Sequence, residues 1–295
     1  MEVSILITAF KEPHLERAIT AILAQKIKYS YKLIVVAPDE EAKNLVKRYV
    51  KKYKKIQYIK DPGIGKSYAI NSILKKIKSD ILILTDGDVY ISEGSINEIL
   101  ELFKDPSIGV VTGRVVSMNN KNNVLGYWSH LLADAGAHRI RKERFNQRKF
   151  LECSGYLFAF RNNIIKEFPI GVAEDSAIPY LFFSKGYKIG YAERALVYVK
   201  NPDNFKDWLK QRKRTAKAHE TLTKYYPEFP KIKSFSNEIR KGFIWALGYP
   251  KTIKEMYWTM LLFSARLYMW LLTLTETRIL KKEYKDAWER IESTK

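Results

Sequence analysis

Residues 81–88 read Ile-Leu-Ile-Leu-Thr-Asp-Gly-Asp, and this stretch decides the fold. Its first four residues form an apolar run of the kind that makes a strand buried on both faces of a sheet. Asp86 and Asp88 follow where that strand ends, with Gly87 between them. Two carboxylates separated by one residue can face one metal ion, and a glycine lets the backbone approach phosphate closely. Asp-Gly is also common in simple turns, so the surrounding sequence has to decide between a site and a turn.

The residues before this strand alternate between strand patterns and helix patterns. The predicted strands are 3–8, 33–36 and 56–59, and the predicted helices are 15–23, 42–53 and 66–77. Such alternation predicts an α/β fold with a mostly parallel, doubly wound sheet. Ligands of these sheets bind beyond the carboxyl ends of the strands, which is where Asp39, Asp61 and Asp86 fall. The context therefore favours a binding site over a turn.

The remaining sequence extends this domain and then changes character. The further predicted elements are a helix over 96–103, a strand over 108–116, a basic helix over 125–149, a strand-like segment over 150–160, a helix over 174–184 and paired short strands within 187–199. From Phe205 onward the chain becomes strongly basic, then aromatic, then very apolar. We therefore place one α/β domain at residues 1–200 and a helical region at residues 201–295.

The composition limits the classes of protein that fit. Of the 295 residues, 46% are hydrophobic, which is enough for a sizeable core and excludes global disorder. The formal net charge of +20 fits nucleic acid, an anionic membrane surface or a phosphorylated substrate as a partner. Carboxylates at several strand ends argue against nucleic acid, because they would repel its phosphates unless they carried metal. Cys153 is the single cysteine, which rules out an intrachain disulfide and favours a reducing compartment. The sequence starts without a basic leader, so we expect no cleaved secretion signal.

Residues 257–275 form a long apolar stretch that is interrupted by Arg266 and is about long enough to span a bilayer. The basic residues that flank it on both sides are Lys251, Lys254, Arg278, Lys281 and Lys282. Because both flanks are basic, a single crossing is disfavoured. We expect instead an interfacial or re-entrant helix, with Trp245, Trp258 and Trp270 at the depth of the lipid headgroups. A buried helix that packs on the α/β domain is the alternative.

Two other kinds of phosphate chemistry fit the sequence less well. Residues 63–67 look like the end of a nucleoside-triphosphatase phosphate loop, but Lys60 stands where the full motif needs a glycine. The segment still places Lys66 at a helix N-terminus, which suits an anion. Nucleotidylyl transfer would need a glycine-rich loop directly after the first strand, and residues 9–13 lack glycine.

Three metal-binding residue types also recur in the basic helix predicted over 125–149. His130, Asp134 and His138 are each four residues apart, so they would share one helix face. That spacing suits a metal site, although a polar helix face is the simpler interpretation.

Taken in order, the motifs resemble inverting glycosyltransferase family two, including its cellulose-synthase-like and dolichyl-phosphate-mannose-synthase-like members. The likeness covers roughly residues 3–215, and its motifs are weak singly but specific in this order. The matching segments are 8–12, Asp39, 65–67 with Asn71, 86–88, 153–155 with Arg161, 173–175 and 211–214. The resemblance implies a GT-A type nucleotide-diphospho-sugar transferase fold and metal-dependent transfer from a nucleotide-sugar donor.

The resemblance also implies roles for individual residues. Asp175 would be the general base, and Asp86 and Asp88 would hold Mn²⁺ or Mg²⁺. Gly155 and Glu174 would lie on the acceptor side. The donor-binding residues would be Ala9, Phe10, Glu12, Asp39, Gly65, Lys66, Asp86, Gln211 and Arg214. The chemistry agrees, because inverting transfer needs one carboxylate to deprotonate the acceptor while metal and cations stabilise the leaving diphosphate. For Glu174 and Asp175, an acidic pair favoured by a helix N-terminus is the alternative.

Two positions depart from the family pattern. Ala173 replaces a threonine but leaves the aspartate of its motif in place. Thr215 stands where cellulose-synthase-like members carry a tryptophan that helps line the acceptor channel. We therefore expect addition of a single sugar rather than synthesis of a polymer.

The expected reaction follows from small membrane-bound members of the family. We expect mannose from GDP-mannose as the sugar, and a lipid-linked acceptor such as polyprenyl or dolichyl phosphate. The expected location is the cytoplasmic side of a membrane, held through the C-terminal region. A UDP-sugar-dependent enzyme with a saccharide acceptor is the alternative. From another class, a basic nucleic-acid-binding protein would account for the charge.

Overall fold

The computed structural model of the chain describes residues 1–230, 232, 243–281 and 291–294. Within them, eight strands form one sheet in the order β3-β2-β1-β4-β7-β6-β8-β5. The strands are β1 Val3–Thr8, β2 Tyr31–Ala37, β3 Ile56–Lys60, β4 Ile81–Asp86, β5 Tyr90–Ile91, β6 Ile108–Ser117, β7 Leu157–Arg161 and β8 Lys188–Val199. The α/β fold predicted from the alternating pattern is confirmed.

The sheet is mixed rather than uniformly parallel. Strands β1 to β4 pair in parallel, and β6 pairs in parallel with β8. Strand β7 lies antiparallel between β4 and β6, and β5 lies antiparallel at the far edge beside β8. The paired short strands predicted within 187–199 are wrong: this segment is one strand, and its register with β6 shifts between Gly113 and Arg114. The exposed pair Glu193 and Arg194 lies within β8, near that shift, and it interrupts the apolar run of the strand.

Two apolar layers cover the two faces of the sheet. Along β1, Ile5 and Ile7 belong to one layer and Leu6 belongs to the other. This alternation follows from the two-residue period of a strand, and it shows that the central strands are buried on both faces, as their continuous apolar runs predict. Each such side chain contributes roughly 1.5–3 kcal/mol when it is fully buried.

Helices cover both faces of the sheet and continue beyond it. The helices are α1 Leu15–Leu23, α2 Glu40–Lys52, α3 Lys66–Leu74, α4 Ser95–Leu102, α5 Val124–Leu131, α6 Arg139–Asn146, α7 Glu174–Phe183, α8 Phe205–Tyr225, α9 Phe243–Leu247 and α10 Ile253–Leu274. A π-helix, Leu132–His138, joins α5 to α6, and a second one, Thr275–Ile279, follows α10. A short 3₁₀ turn spans Glu292–Thr294.

Helix α10 packs against the α/β domain through an aromatic cluster. Trp258 is 8% exposed, lies 5.7 Å from the Tyr127 ring and accepts a hydrogen bond from Trp128 Nε1 at its carbonyl. Trp270 is 5% exposed. The prediction that these two tryptophans lie at headgroup depth is therefore wrong, because both rings are buried within the protein. Within the described ranges, no helix combines the length and the apolar character needed to cross a membrane. Lys282, one of the predicted flanking residues, lies outside those ranges.

Candidate active site

The Asp86-Gly87-Asp88 segment is fixed to the end of strand β1. Strands β1 and β4 are parallel, and their register places Thr8 opposite Asp86. Thr8 Oγ1 donates to Asp86 Oδ1 at 2.9 Å, and Gly87 N donates to the carbonyl of Thr8 at 2.9 Å. A Cβ atom at Gly87 would lie only 2.9 Å from Cβ of Ala9. The glycine is therefore required by close packing, and the carboxylates sit at the carboxyl edge of the sheet as predicted.

The residues present fit a divalent cation at this edge. Burial, followed by the charge of nearby Asp86, raises the pKa of Asp88 to about 6. A cation between the two carboxylates would relieve that repulsion. Among the described residues, no group of three or more His, Cys, Asp or Glu side chains is arranged as a metal site. The protein would thus supply two carboxylates, and substrate phosphates and water would complete the shell in the manner that Mg²⁺ prefers.

Lys66 forms ion pairs with two carboxylates of the site. It is the first residue of α3, which begins after Gly65. Its Nζ lies 2.7 Å from Asp86 Oδ1 and 2.6 Å from Glu174 Oε1. Burial lowers the pKa of Lys66, but the two carboxylates outweigh it and hold that pKa well above the ordinary value. The lysine is therefore charged, and it links the β4 edge to helix α7.

The acidic pair at the start of α7 reaches the same edge. Asp175 Oδ2 accepts a hydrogen bond from Gly155 N at 3.1 Å, and its carbonyl accepts from Cys153 N. These bonds orient the side chain that the resemblance described above implies as the general base. Burial and the neighbouring Asp175 raise the pKa of Glu174 to about 7, although Lys66 opposes that rise. The pair is thus part of the carboxylate cluster as well as the N-terminus of a helix.

Asp39 and Glu12 lie in the loops that follow β2 and β1. Both carboxylate oxygens of Asp39 accept backbone hydrogen bonds, from Lys11 N and from Ala42 N, each at 2.9 Å. Asp39 therefore caps α2 and also joins the two loops. Glu12 Oε1 accepts from His14 N at 3.0 Å. Ala9 is buried at this edge and Phe10 is half-buried, so a ligand here would meet backbone as much as side chains.

Helix α8 brings positive charge to the carboxylates. Arg214 is close enough for its charge to lower the pKa of Asp88, against the larger effects of burial and Asp86. Burial and the charge of Asp88 raise the pKa of Tyr156 to about 12, while Arg212 and Arg214 oppose that rise. Gln211 is buried in the same helix. Sequence reasoning missed Thr8, Tyr156 and Arg212 as site residues, although Tyr156 directly follows Gly155 and Arg212 lies inside the quoted 211–214 segment.

Asp88 also lines a small cleft, and Arg17, Lys200 and Thr294 contribute to its wall. The Arg17 guanidinium lies 3.8 Å from the centroid of the Tyr90 ring, which fixes its position at the rim. Basic side chains in a cleft that Asp88 also lines suit an anionic ligand that binds together with a cation.

One known protein family matches this chain over most of its length. The model of the glycosyltransferase-like family 2 matches residues 2–218, which is most of the chain and includes every site residue described above except Thr294. The chain belongs to the glycosyltransferase-like family 2. The family prediction made from the motif order is thereby confirmed, and so is the prediction of a glycosyltransferase at the level of the family.

Curated members of family 2 are similar over most of this chain. A protein named probable glycosyltransferase YdaM from Bacillus subtilis (strain 168) is 26% identical over 265 residues, covering 84% of this chain and 61% of its own length. Poly-beta-1,6-N-acetyl-D-glucosamine synthase from Staphylococcus aureus (strain COL) is 24% identical over 245 residues, covering 79% of this chain and 58% of its own. The chain thus spans about three fifths of the length of these relatives.

Solved structures support the GT-A fold of this family 2 chain. The mannosyltransferase PcManGT from Pyrobaculum calidifontis, in complex with GDP-Man and Mn²⁺, aligns with a TM-score of 0.63 at 15% identity, covering 95% of this chain and 88% of that one. GalNAc-T7 with UDP, GalNAc and Mn²⁺ aligns with a TM-score of 0.53 at 16% identity, covering 84% and 57%. At these identities the likeness concerns the fold.

The histidines of the family 2 chain that share a helical spacing have separate partners. His130 Nε2 contacts the carbonyl of Asn119, and His138 Nδ1 contacts the Tyr191 hydroxyl. Asp134 pairs with Arg114 and accepts from the hydroxyl of a tyrosine that precedes α10. The π-helix also changes the angular spacing between these positions. The simpler interpretation, a polar helix face, agrees with these contacts.

Proposed function

We propose that this protein is an inverting, metal-dependent glycosyltransferase that moves one sugar from a nucleotide-sugar donor. One observation carries the proposal: Asp86 and Asp88 face one edge of the sheet while Asp175 is oriented towards the same edge by Gly155 N. Separate carboxylates are therefore available for a metal–diphosphate and for an acceptor hydroxyl. Family membership supports this division of roles.

The proposed mechanism assigns the proton and the charge to different side chains. The oxygen of the acceptor hydroxyl attacks the anomeric carbon while Asp175 takes the proton of that hydroxyl. The bond from the anomeric carbon to the diphosphate breaks in the same step. Arg214, from α8, helps to neutralise the departing diphosphate. A divalent cation held by Asp86 and Asp88 would act as a Lewis acid on the diphosphate oxygens. Gly155 keeps Asp175 in place through its N–H group, so the base is positioned before substrate arrives.

The donor that we propose is GDP-mannose. The support is the fold likeness to a mannosyltransferase whose structure contains GDP-Man and Mn²⁺. A UDP-sugar with a saccharide acceptor is the second candidate, since a neighbour in fold contains UDP and a relative in sequence is named as a poly-N-acetylglucosamine synthase. The positions that would select the base, near Ala9, Phe10 and Asp39, present backbone as much as side chain, so they favour neither nucleotide.

The acceptor that we propose is lipid-linked and is met at the cytoplasmic surface of a membrane. The support is the outer face of α10, where the exposed fractions of Met256, Tyr257, Leu267 and Leu271 are 53%, 62%, 50% and 57%. At 3.6 residues per turn, these four positions fall within a sector of about 100° around the helix axis, so they share one apolar stripe. Lys251 and Lys254 lie beside its first turn. An apolar stripe with basic neighbours suits an interface with anionic lipid.

A panel of nucleotide sugars tests the donor. We expect GDP-mannose to raise the melting temperature of the protein in the presence of Mn²⁺, and to do so far less after the metal is chelated. Stabilisation by UDP-sugars alone would select the second candidate. If no nucleotide sugar stabilises the protein with either metal, the proposed function is wrong.

Vesicle sedimentation tests the membrane surface separately. We expect the protein to sediment with phosphatidylcholine vesicles that contain phosphatidylglycerol. The double change Tyr257→Asp and Leu267→Asp should abolish that binding without changing the fold, because both side chains are exposed. A matched control is Val50→Asp, which adds a carboxylate at an apolar position that is 43% exposed and lies on α2 rather than on α10. Binding that survives the double change would exclude the stripe as the contact surface.

A further inference from the structure

The ammonium group of Lys66 is fully engaged by protein atoms. Its Nζ contacts Asp86 Oδ1 at 2.7 Å, Glu174 Oε1 at 2.6 Å and the Gly155 carbonyl at 3.4 Å. An ammonium has three N–H donors and no acceptor, so these contacts use all of its hydrogen-bonding capacity. The family resemblance implies that Lys66 contacts the donor. In the position that the structure shows it has no N–H group left for that contact, so it would have to move first.

Asp86 is engaged at the same oxygen from two directions. Its Oδ1 accepts from Lys66 and from Thr8 Oγ1 at 2.9 Å. Asp86 is also one of the two carboxylates that would hold the divalent cation. A cation and an ammonium compete for the same carboxylate, because both are attracted by the same charge and two positive charges at one oxygen repel each other.

We propose that Lys66 is a resident counter-ion, which holds Asp86 in the donor-free protein and moves from Asp86 to the diphosphate when the metal-bound donor enters. The inference rests on the proposed function. Lys66 is suited to the movement, since it lies at the N-terminus of α3, where anions are favoured, and its flexible side chain is 16% exposed. The exchange leaves the charge balance of the site nearly constant, because a phosphate anion replaces a carboxylate beside the ammonium.

The same lysine connects the donor site to the candidate base. Glu174 directly precedes Asp175 on α7, and Gly155 is contacted on both sides, at its carbonyl by Lys66 and at its N–H by Asp175. Movement of Lys66 therefore changes two contacts next to Asp175. Lys66 thus has two roles: without donor it positions Asp86, Glu174 and Gly155, and with donor it contacts the diphosphate directly.

The affinity of the donor-free protein for Mn²⁺ tests the inference. Replacing a lysine with a purely structural role would not raise that affinity. We expect Lys66→Met to bind Mn²⁺ alone about tenfold more tightly than wild type, because the competing ammonium is gone. The same variant should bind GDP or UDP with Mn²⁺ at least about tenfold more weakly, since the diphosphate loses its cation. Lys66→Arg keeps the charge and should restore both affinities towards wild type.

The matched control is Lys75→Met. Lys75 follows the same helix and pairs with Glu167, but both side chains are about two-thirds exposed. We expect its Mn²⁺ and nucleotide affinities to equal those of wild type. Circular dichroism and thermal melting check that each variant is folded. The inference would be overturned if the Lys66→Met variant is folded but binds Mn²⁺ alone no more tightly than wild type does.

A measurement on the wild-type protein keeps the inference testable if Lys66→Met does not fold. The ¹⁵Nζ resonance of Lys66 should shift when Mg²⁺ and GDP or UDP are added together, and should change little with the nucleotide alone. An unchanged resonance at saturating Mg²⁺ and bound nucleotide would overturn the inference while leaving the proposed function intact. Wild-type protein that binds neither Mn²⁺ nor any nucleoside diphosphate would overturn both.

Discussion

The carboxyl edge of β1 and β4 and the C-terminal helix α10 are built on opposite principles. At the edge, hydrogen bonds from a hydroxyl and from a backbone N–H hold individual carboxylates, from Thr8 to Asp86 and from Gly155 to Asp175. In α10, aromatic packing holds one face, and the other face is left apolar and exposed. The edge therefore has carboxylates in fixed positions, as catalysis requires, whereas α10 has an exposed apolar face of the kind that contacts another surface. Changes at the edge should alter reaction and metal affinity, and changes in α10 should alter stability or attachment.

The largest effect is expected for Asp175→Asn. The change removes the proposed base but leaves the donor carboxylates in place, so transfer should fall by about 10²–10⁴-fold while nucleotide binding with Mn²⁺ is retained. Rates of transfer and nucleotide titrations measure the two properties separately. Asp203→Asn, the same change at an exposed aspartate outside the residues assigned to the site, is the control and should keep full activity. A variant at Asp175 that transfers sugar at the wild-type rate would remove this residue from the mechanism.

Helix α10 should show the reverse pattern, with stability affected and chemistry spared. Trp258→Ala empties a packed aromatic site beside Tyr127, so the free energy of unfolding should fall by about 3–5 kcal/mol. Tyr257→Ala, its neighbour on the exposed face, should change that free energy by less than about 0.5 kcal/mol. Denaturant titrations compare the two. Equal losses would mean that the faces of α10 are not divided as the structure has them.

These two regions also differ in how well sequence predicts them. The position of Asp86 follows from strand period and strand direction, because parallel strands end at one edge, and both can be read locally. The faces of α10 cannot be read in that way, since an apolar helix contains no signal that separates the buried Trp258 from the exposed Tyr257. The C-terminal tryptophans were misplaced for that reason.

Pairings between residues far apart in the chain are the second feature that the sequence alone does not predict. Lys66 is correctly placed at a helix N-terminus, but its partners, Asp86 and Glu174, are 20 and 108 positions away in the sequence. Nothing local indicates which carboxylates a lysine will meet. The reversed direction of β7 is likewise invisible, because an apolar run predicts a strand without its direction. The single strand β8 was missed because the charged pair Glu193 and Arg194 divides its sequence into two short apolar runs.

Removing a carboxylate from the edge should stabilise the protein when metal is absent. The folded-state pKa of Asp88, about 6, lies above the ordinary 3.8, so the folded protein binds that proton more tightly than the unfolded chain does. Stability attributable to this group is therefore highest below about pH 4 and falls as the pH rises through 6. Asp88→Asn should gain about 1–2 kcal/mol at pH 7 in EDTA, a value reduced because the side chain is half-buried rather than fully buried.

Melting curves across this pH range measure the difference. Wild type and Asp88→Asn should converge below about pH 4, where the aspartate is protonated in both the folded and the unfolded state. Added Mn²⁺ should raise the melting temperature of wild type and not that of the variant. A variant that is less stable than wild type at pH 7 in EDTA would show that Asp88 is not under electrostatic strain.

The smallest effect is expected from Thr8→Val. This change distinguishes the orientation of the Asp86 carboxylate from the packing of the sheet edge as the cause of metal affinity. Thr8 Oγ1 donates to Asp86 Oδ1, so its loss frees the carboxylate to rotate and should weaken Mn²⁺ binding in the presence of nucleotide by about three- to tenfold. Thr85→Val is the matched control, since Thr85 Oγ1 donates to the Tyr156 carbonyl at 2.8 Å, next to the same edge. Both variants lose one hydrogen bond and should lose similar stability, about 1 kcal/mol each. Only Thr8→Val should lose metal affinity, because only Thr8 holds a carboxylate. Equal metal affinities in the two variants would mean that packing of the edge, rather than orientation of Asp86, sets the strength of metal binding.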